Sequence, residues 1–129
     1  MRLARVSLGV MGLTFVSLGA MSLVAPSHLT SLVEISMPSP IAVMEVRGVY
    51  GGLFFGIGVT FSLLAWRDEW LLPGLIAQAG IMGGFVLGRT VGIVVGGAPN
   101  LFISLLLLGE IFMATVALVL TKRLRDGRI

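Results

Sequence analysis

The chain has 129 residues, of which 57% are hydrophobic and only 12% are charged, and its mean hydropathy is +1.06. A soluble domain of this size usually carries about 25% charged residues on a surface that is large relative to its volume, so this composition excludes a soluble globular fold. It also excludes intrinsic disorder, because disordered chains are poor in apolar residues.

Four apolar segments each reach the roughly 20 residues that a membrane-spanning helix requires. They predict spans at about 6–25, 41–66, 70–95 and 101–121, within one domain that covers residues 1–129. The predicted fold class is therefore an all-α integral membrane protein, a bundle of four transmembrane helices.

The first span resembles a signal peptide in its basic start, with Arg2 and Arg5 before an apolar run. The run is longer than the 7–15 residues of a signal h-region, however, and no A-x-A cleavage site follows, so we expect a retained helix. Residues 27–36 have apolar side chains at helical spacing, which predicts a short interfacial helix after the first span. We interpret His28 in this stretch as an interfacial residue rather than a ligand.

Local signals mark the remaining boundaries. Ser39-Pro40 is typical of a helix start, with an N-cap followed by proline at the first helical position. Arg67-Asp68-Glu69 forms a polar turn between the second and third spans. Gly96 to Asn100 forms the last turn, and Asn100 is a good cap for the fourth helix.

The positive charges predict the orientation. With the N-terminus in the cytoplasm, seven basic residues fall on the cytoplasmic side and none on the outer side, as the positive-inside rule requires. The charge pattern thus predicts a multi-pass membrane protein with both termini cytoplasmic, and the basic residues do not form a nucleic-acid-binding stripe. The seven residues are Arg2, Arg5, Arg67, Lys122, Arg123, Arg125 and Arg128.

No residue pattern indicates a metal, a cofactor or catalysis. The chain has no cysteine and one histidine, which cannot form an imidazole metal site alone. It also lacks a Ser-His-Asp set, H-E-x-x-H and a phosphate-binding loop, so we expect neither an enzyme nor a cofactor.

Glycines recur every four residues on two spans, which predicts close helix packing, because helices in lipid associate where small residues let their backbones approach. The predicted packing positions are Gly48, Gly52 and Gly56 on the second span and Gly80, Gly84 and Gly88 on the third.

Four ionisable residues lie within the spans: Glu45, Arg47, Arg89 and Glu110. A charge at the centre of a membrane helix costs at least about 2.5–3.5 kcal/mol. Glu110 is the deepest, about 13–14 Å from the outer end of its span, and we expect it to contact an arginine, preferably Arg89. Together with Tyr50, these residues predict an outer-leaflet polar cluster, which either fixes helix register or binds a ligand.

The segment 45–52 has the pattern E-x-R-x-x-Y-G-G, followed by Gly88-Arg89, a turn at 97–99 and Glu110. This arrangement resembles a family of small four-helix bacterial inner-membrane proteins that carry a domain of unknown function. Family members usually have a larger residue where this chain has Gly48, which loosens packing there. The resemblance implies the fold and topology, and it implies a shared polar set of Glu45, Arg47, Tyr50, Arg89 and Glu110.

The first functional hypothesis is a protein that binds membrane lipids or another amphiphile, or an accessory subunit of a larger membrane complex; a homo-oligomer is also open. The alternative is a small proton- or ion-coupled transporter or channel. Against it, small multidrug transporters carry their essential glutamate in the first helix, where this chain has no charge between Arg5 and Ala25.

Overall fold

The computed structural model describes residues 1–127, which are almost entirely helical and include no β-strand. The elements, in chain order, are α1 (Arg2–Val24), α2 (Pro26–Leu32), α3 (Pro40–Val46), a π-helical segment (Arg47–Leu53), α4 (Phe54–Leu64), α5 (Asp68–Gly96) and α6 (Leu101–Arg125).

Four helical stretches within the described residues are long and apolar enough to cross a membrane: Arg2–Val24, Pro40–Leu64, Asp68–Gly96 and Leu101–Arg125. The predicted fold class is confirmed, including a short helix, α2, after the first span. Most of the observed helices begin before the predicted spans or end beyond them, because polar residues at a membrane boundary can continue a helix that hydropathy alone would end.

The predicted caps are present at two helix starts. The Ser39 side chain accepts a hydrogen bond from the Ala42 backbone N–H (3.2 Å), and Asn100 accepts one from Ile103 N–H (2.9 Å). Each cap satisfies a backbone donor that has no partner within the first turn of its helix. Gly97 ends α5 with φ of 98°, a conformation that residues with a Cβ rarely adopt.

The second span is not a continuous α-helix. Seven residues, Arg47–Leu53, are π-helical and lie between α3 and α4. A π-helix has i→i+5 hydrogen bonds and is rare, and short π segments inside α-helices frequently occur at functional sites. The motif from Arg47 to Gly52 lies entirely within this segment.

The chain divides into two compact units, one of which comprises residues 9–63. In this unit α1 packs against the second span through glycines spaced by seven residues: Gly12 and Gly19 on α1, Gly51 and Gly58 on the other. A Cβ on Gly58 would lie 2.8 Å from the Gly12 carbonyl oxygen, and one on Gly19 would lie 2.8 Å from the Gly51 oxygen. The two helices are therefore antiparallel and in backbone contact.

Aromatic rings fill the space beside these glycines. Phe15 meets Phe54 edge-on with ring centroids 5.2 Å apart, and Phe61, which is 1% exposed, lies 6.3 Å from Phe15. Such edge-to-face pairs stabilise a packed interface beyond the apolar area that they bury.

The other unit comprises residues 1–8 and the chain from Leu64 onward. The start of α1 packs on α5, where Leu8, Leu71 and Leu75 are fully buried. Gly74 lies at this contact, since a Cβ there would come within 2.8 Å of the Leu8 side chain. Helix α6 runs antiparallel to α5 and leaves most of its apolar surface exposed, as expected of a helix that faces lipid.

The predicted glycine stripes do not form these contacts. A Cβ on Gly48, Gly56, Gly80, Gly84 or Gly88 would meet no atom of a packing partner within 4 Å among the described residues, and one on Gly52 would meet only Arg47 O, at 3.9 Å. Neither Gly52 nor Gly84 lies at a close helix contact within its own unit, and close packing at these glycines stays a prediction. A spacing of four residues places glycines on one stripe of an α-helix, but it does not show which neighbour the stripe faces. In the π-helical segment the angle per residue is smaller, so Gly48 and Gly52 no longer follow the α-helical stripe.

Candidate functional site

An ion pair joins α5 to α6 within the second of these units. The Arg89 Nε–H donates to both carboxylate oxygens of Glu110, at 3.0 Å to Oε1 and 2.8 Å to Oε2. The side chains are only 23% and 12% exposed. The predicted contact between Glu110 and Arg89 is confirmed.

The guanidinium of Arg89 has donor capacity that the ion pair leaves unused. Arginine carries five N–H donors, and only the one on Nε is engaged. The two Nη groups make no hydrogen bond to another described residue. Four N–H donors on the Nη groups therefore remain available for an acceptor that residues 1–127 do not supply.

A second polar junction in this unit was not predicted from sequence. The Gln78 side chain is fully buried, and its Oε1 accepts from the Ser7 hydroxyl (3.1 Å) while its Nε2 donates to Met113 O (3.1 Å). One amide thus connects α1, α5 and α6. The sequence signal for this junction is the single glutamine on the apolar helix α5, on the same face as Arg89. A buried amide requires hydrogen-bond partners, so a glutamine in this position indicates a polar contact between helices.

Arg47 belongs to the unit of residues 9–63, where it caps α1. Its Nε–H donates to the carbonyl oxygen of Leu23 (3.1 Å), which is in the last turn of α1. A cation at the C-terminal end of a helix satisfies a free carbonyl and interacts favourably with the helix dipole. This contact gives Arg47 a structural role.

The remaining predicted site residues also lie in that unit. The Tyr50 ring packs edge-on against Phe54 with centroids 5.5 Å apart, and Glu45 is exposed. The structure thus brings Arg89 together with Glu110, and Arg47 together with the end of α1. A single cluster containing all five residues stays a prediction.

Metal ligands do not gather in the described chain. Residues 1–127 contain no group of three or more His, Asp or Glu side chains positioned to hold a metal ion. Arg128, counted above among the basic residues, lies outside the described residues.

The fold and this site define a small helical protein with four potential membrane spans and an ion pair inside one pair of them. Comparison with family models matches residues 3–121 to DUF4345, a domain of unknown function, and the chain belongs to this family. The predicted membership of an uncharacterised domain family is confirmed. Comparison with curated proteins and with solved structures found no match.

Proposed function

We propose that this protein binds an amphiphile in the bacterial inner membrane, with Arg89 holding the polar group of the ligand. The single observation that carries the proposal is the half-buried guanidinium whose Nη donors are unused beside a paired Glu110. A donor at membrane depth finds no water, so an acceptor oxygen from a lipid or an amphiphile stabilises it.

The chemistry of the pair indicates the ligand class. Arginine recognises phosphate and carboxylate through two parallel N–H···O bonds, and the Nη groups of Arg89 can supply both. Apolar side chains on the same face of α5 as Arg89, Val86 and Ile93, are only partly buried and offer a surface for an acyl chain. The ligand is therefore an amphiphile with a phosphate or carboxylate group and an alkyl tail.

Glu110 sets the strength of that binding. Because its carboxylate neutralises Arg89, the pair presents hydrogen-bond donors without a net charge. Removing the carboxylate should thus strengthen the attraction for an anion, even though it weakens the helix contact. A pair with a structural role alone predicts no such gain in affinity.

Native mass spectrometry of the purified protein with phosphatidylglycerol or oleate tests the proposal. We expect Arg89→Gln to reduce binding at least tenfold and Glu110→Gln to increase it severalfold. Thr90→Val is the matched control, because Thr90 is exposed and its hydroxyl bonds only to Val86 O of its own helix. Equal binding by Arg89→Gln and the control would refute the role of Arg89.

The proposal includes the orientation of the protein in the membrane, with both termini in the cytoplasm. In this orientation the α5–α6 turn, and the ligand group near it, lie on the outer side. The distribution of basic residues supports this orientation.

A proton- or ion-coupled transporter is the second candidate, favoured by an ionisable carboxylate inside a potential span. In that case Glu110 exchanges its arginine partner for a proton, and Glu110→Gln abolishes proton flux into liposomes without loss of fold.

An accessory role on a larger membrane protein, or a homo-oligomer, is compatible with the open space beside Gly84 and Gly88.

A further inference from the structure

Basic side chains are concentrated where three helices of one unit end. The unit of residues 1–8 and 64 onward includes the start of α1, the start of α5 and the end of α6. We define the basic end as the nine charged residues found there: Arg2, Arg5, Arg67, Asp68, Glu69, Lys122, Arg123, Arg125 and Asp126.

Contacts within the unit place these helix ends on the same side. Helices α5 and α6 are antiparallel and in contact, so the start of α5 and the end of α6 lie at the same end of the helix pair. Arg5 of α1 forms an ion pair with Asp68, which brings the start of α1 to the same end.

The charges of the basic end are only partly balanced. Six basic and three acidic side chains leave a formal charge of +3. Arg5 is paired with Asp68, and Arg67 is paired with Glu69 at 3.3 Å. The other four basic residues form no ion pair with another described residue: Arg2, Lys122, Arg123 and Arg125.

Both tryptophans of the chain lie beside this basic end. Trp66 is 76% exposed and Trp70 is 40% exposed, with the Arg67 guanidinium 5.2 Å from the Trp70 ring centroid. Tryptophan concentrates at the level of lipid headgroups, which favours a position of the neighbouring cations near the phosphate groups of a bilayer.

We propose that the basic end is a second ligand site, separate from Arg89, that binds the phosphate headgroups of anionic phospholipids. Lys122, Arg123 and Arg125 lie within four consecutive residues at the end of α6, and Arg2 adds a fourth cation from α1. Unpaired lysine and arginine at the membrane surface attract anionic lipids, and arginine binds phosphate with two hydrogen bonds. The site selects phosphatidylglycerol or cardiolipin over zwitterionic phosphatidylcholine.

The tryptophans provide a local probe of this selection. The full-length protein is reconstituted in bilayers that mix phosphatidylglycerol with phosphatidylcholine, with bromine on the acyl chains of only one lipid at a time. Bromine quenches nearby tryptophan, so the two quenching curves give the relative affinity of lipid next to Trp66 and Trp70. We expect at least a fivefold preference for phosphatidylglycerol, about the effect of one basic residue at the membrane surface.

Charge variants test which residues carry the preference. Replacement of Lys122, Arg123 and Arg125 together by glutamine should reduce the preference to near one, whereas K122R/R123K/R125K, which keeps the charge, should retain it. Raising NaCl from 50 to 500 mM should weaken the preference in the unmodified protein, because salt screens exposed charges. Sodium phosphate at equal ionic strength should displace no more lipid than NaCl does.

Equal quenching by the two brominated lipids in the unmodified protein would overturn the proposal, as would a preference that survives the triple glutamine replacement. Stronger displacement by phosphate than by chloride would assign the site to free phosphate instead of lipid. A preference that does not weaken between 50 and 500 mM NaCl would also overturn the proposal. This titration uses the unmodified protein, so it remains informative if the triple variant does not fold.

Discussion

The Arg89–Glu110 pair is best tested by a double-mutant cycle with Arg89→Gln, Glu110→Gln and the two combined. Each single replacement leaves one charged group between α5 and α6 without its counter-charge. Removing one partner of a buried pair costs about 3–5 kcal/mol, and the exposures of 23% and 12% place this pair near the lower bound. The double variant should recover about 1–3 kcal/mol as the interaction energy.

Unfolding in mixed micelles, followed by the fluorescence of Trp66 and Trp70, gives the four free energies of unfolding. The exposed pair Arg67–Glu69 is the matched control, because both side chains are about two-thirds exposed, at 64% and 65%. Its interaction energy should not exceed about 1 kcal/mol. Equal interaction energies for the two pairs would refute the conclusion that the Arg89–Glu110 pair is shielded from water.

Three further predictions concern packing, the buried amide and topology. Gly19→Ala should lower the melting temperature by several degrees because its Cβ would clash with the backbone of the second span, whereas Gly84→Ala has open space and should leave the temperature unchanged or raise it slightly. Gln78→Leu leaves Met113 O and the Ser7 hydroxyl without this partner and should cost about 1–3 kcal/mol in the same unfolding assay. Alkaline phosphatase fused after Ile129 should be inactive and a fluorescent protein fused there should fluoresce; the reverse result would contradict cytoplasmic termini.

The four helices and the ion pair were predictable from sequence because each depends on a strong energetic requirement. A segment of about 20 apolar residues has few alternatives to crossing a membrane. A carboxylate as deep as Glu110 requires a partner, and only the arginines within the spans were long enough to reach it. The burial of Gln78 was predictable for a similar reason. It lies on the same face of α5 as Arg89, and a face that pairs with Glu110 must pack against α6.

The glycine contacts and the π segment were not predictable from sequence. The seven-residue spacing of Gly12 and Gly19 indicates a helix contact only when it is matched to the same spacing of Gly51 and Gly58 on a second helix. The π segment depends on a small difference between i→i+4 and i→i+5 hydrogen bonding, which hydropathy does not register. It also explains why face assignments made with a 3.6-residue period are unreliable from Arg47 onward in the second span.

The most direct test of amphiphile binding at Arg89 is a solid-state NMR distance between its guanidinium nitrogens and the bound polar group. The protein carries ¹⁵N-labelled arginine and δ-¹³C glutamate in bilayers of phosphatidylglycerol, and a second sample with unlabelled glutamate contains carboxyl-¹³C oleate. The Nη signal that Arg89→Gln removes should show dipolar coupling to lipid ³¹P or to the oleate ¹³C, at about 4 Å for a hydrogen-bonded group. Absence of coupling to either nucleus, with coupling to the Glu110 carboxyl carbon retained, would show that the ion pair is structural alone and would contradict the proposed function.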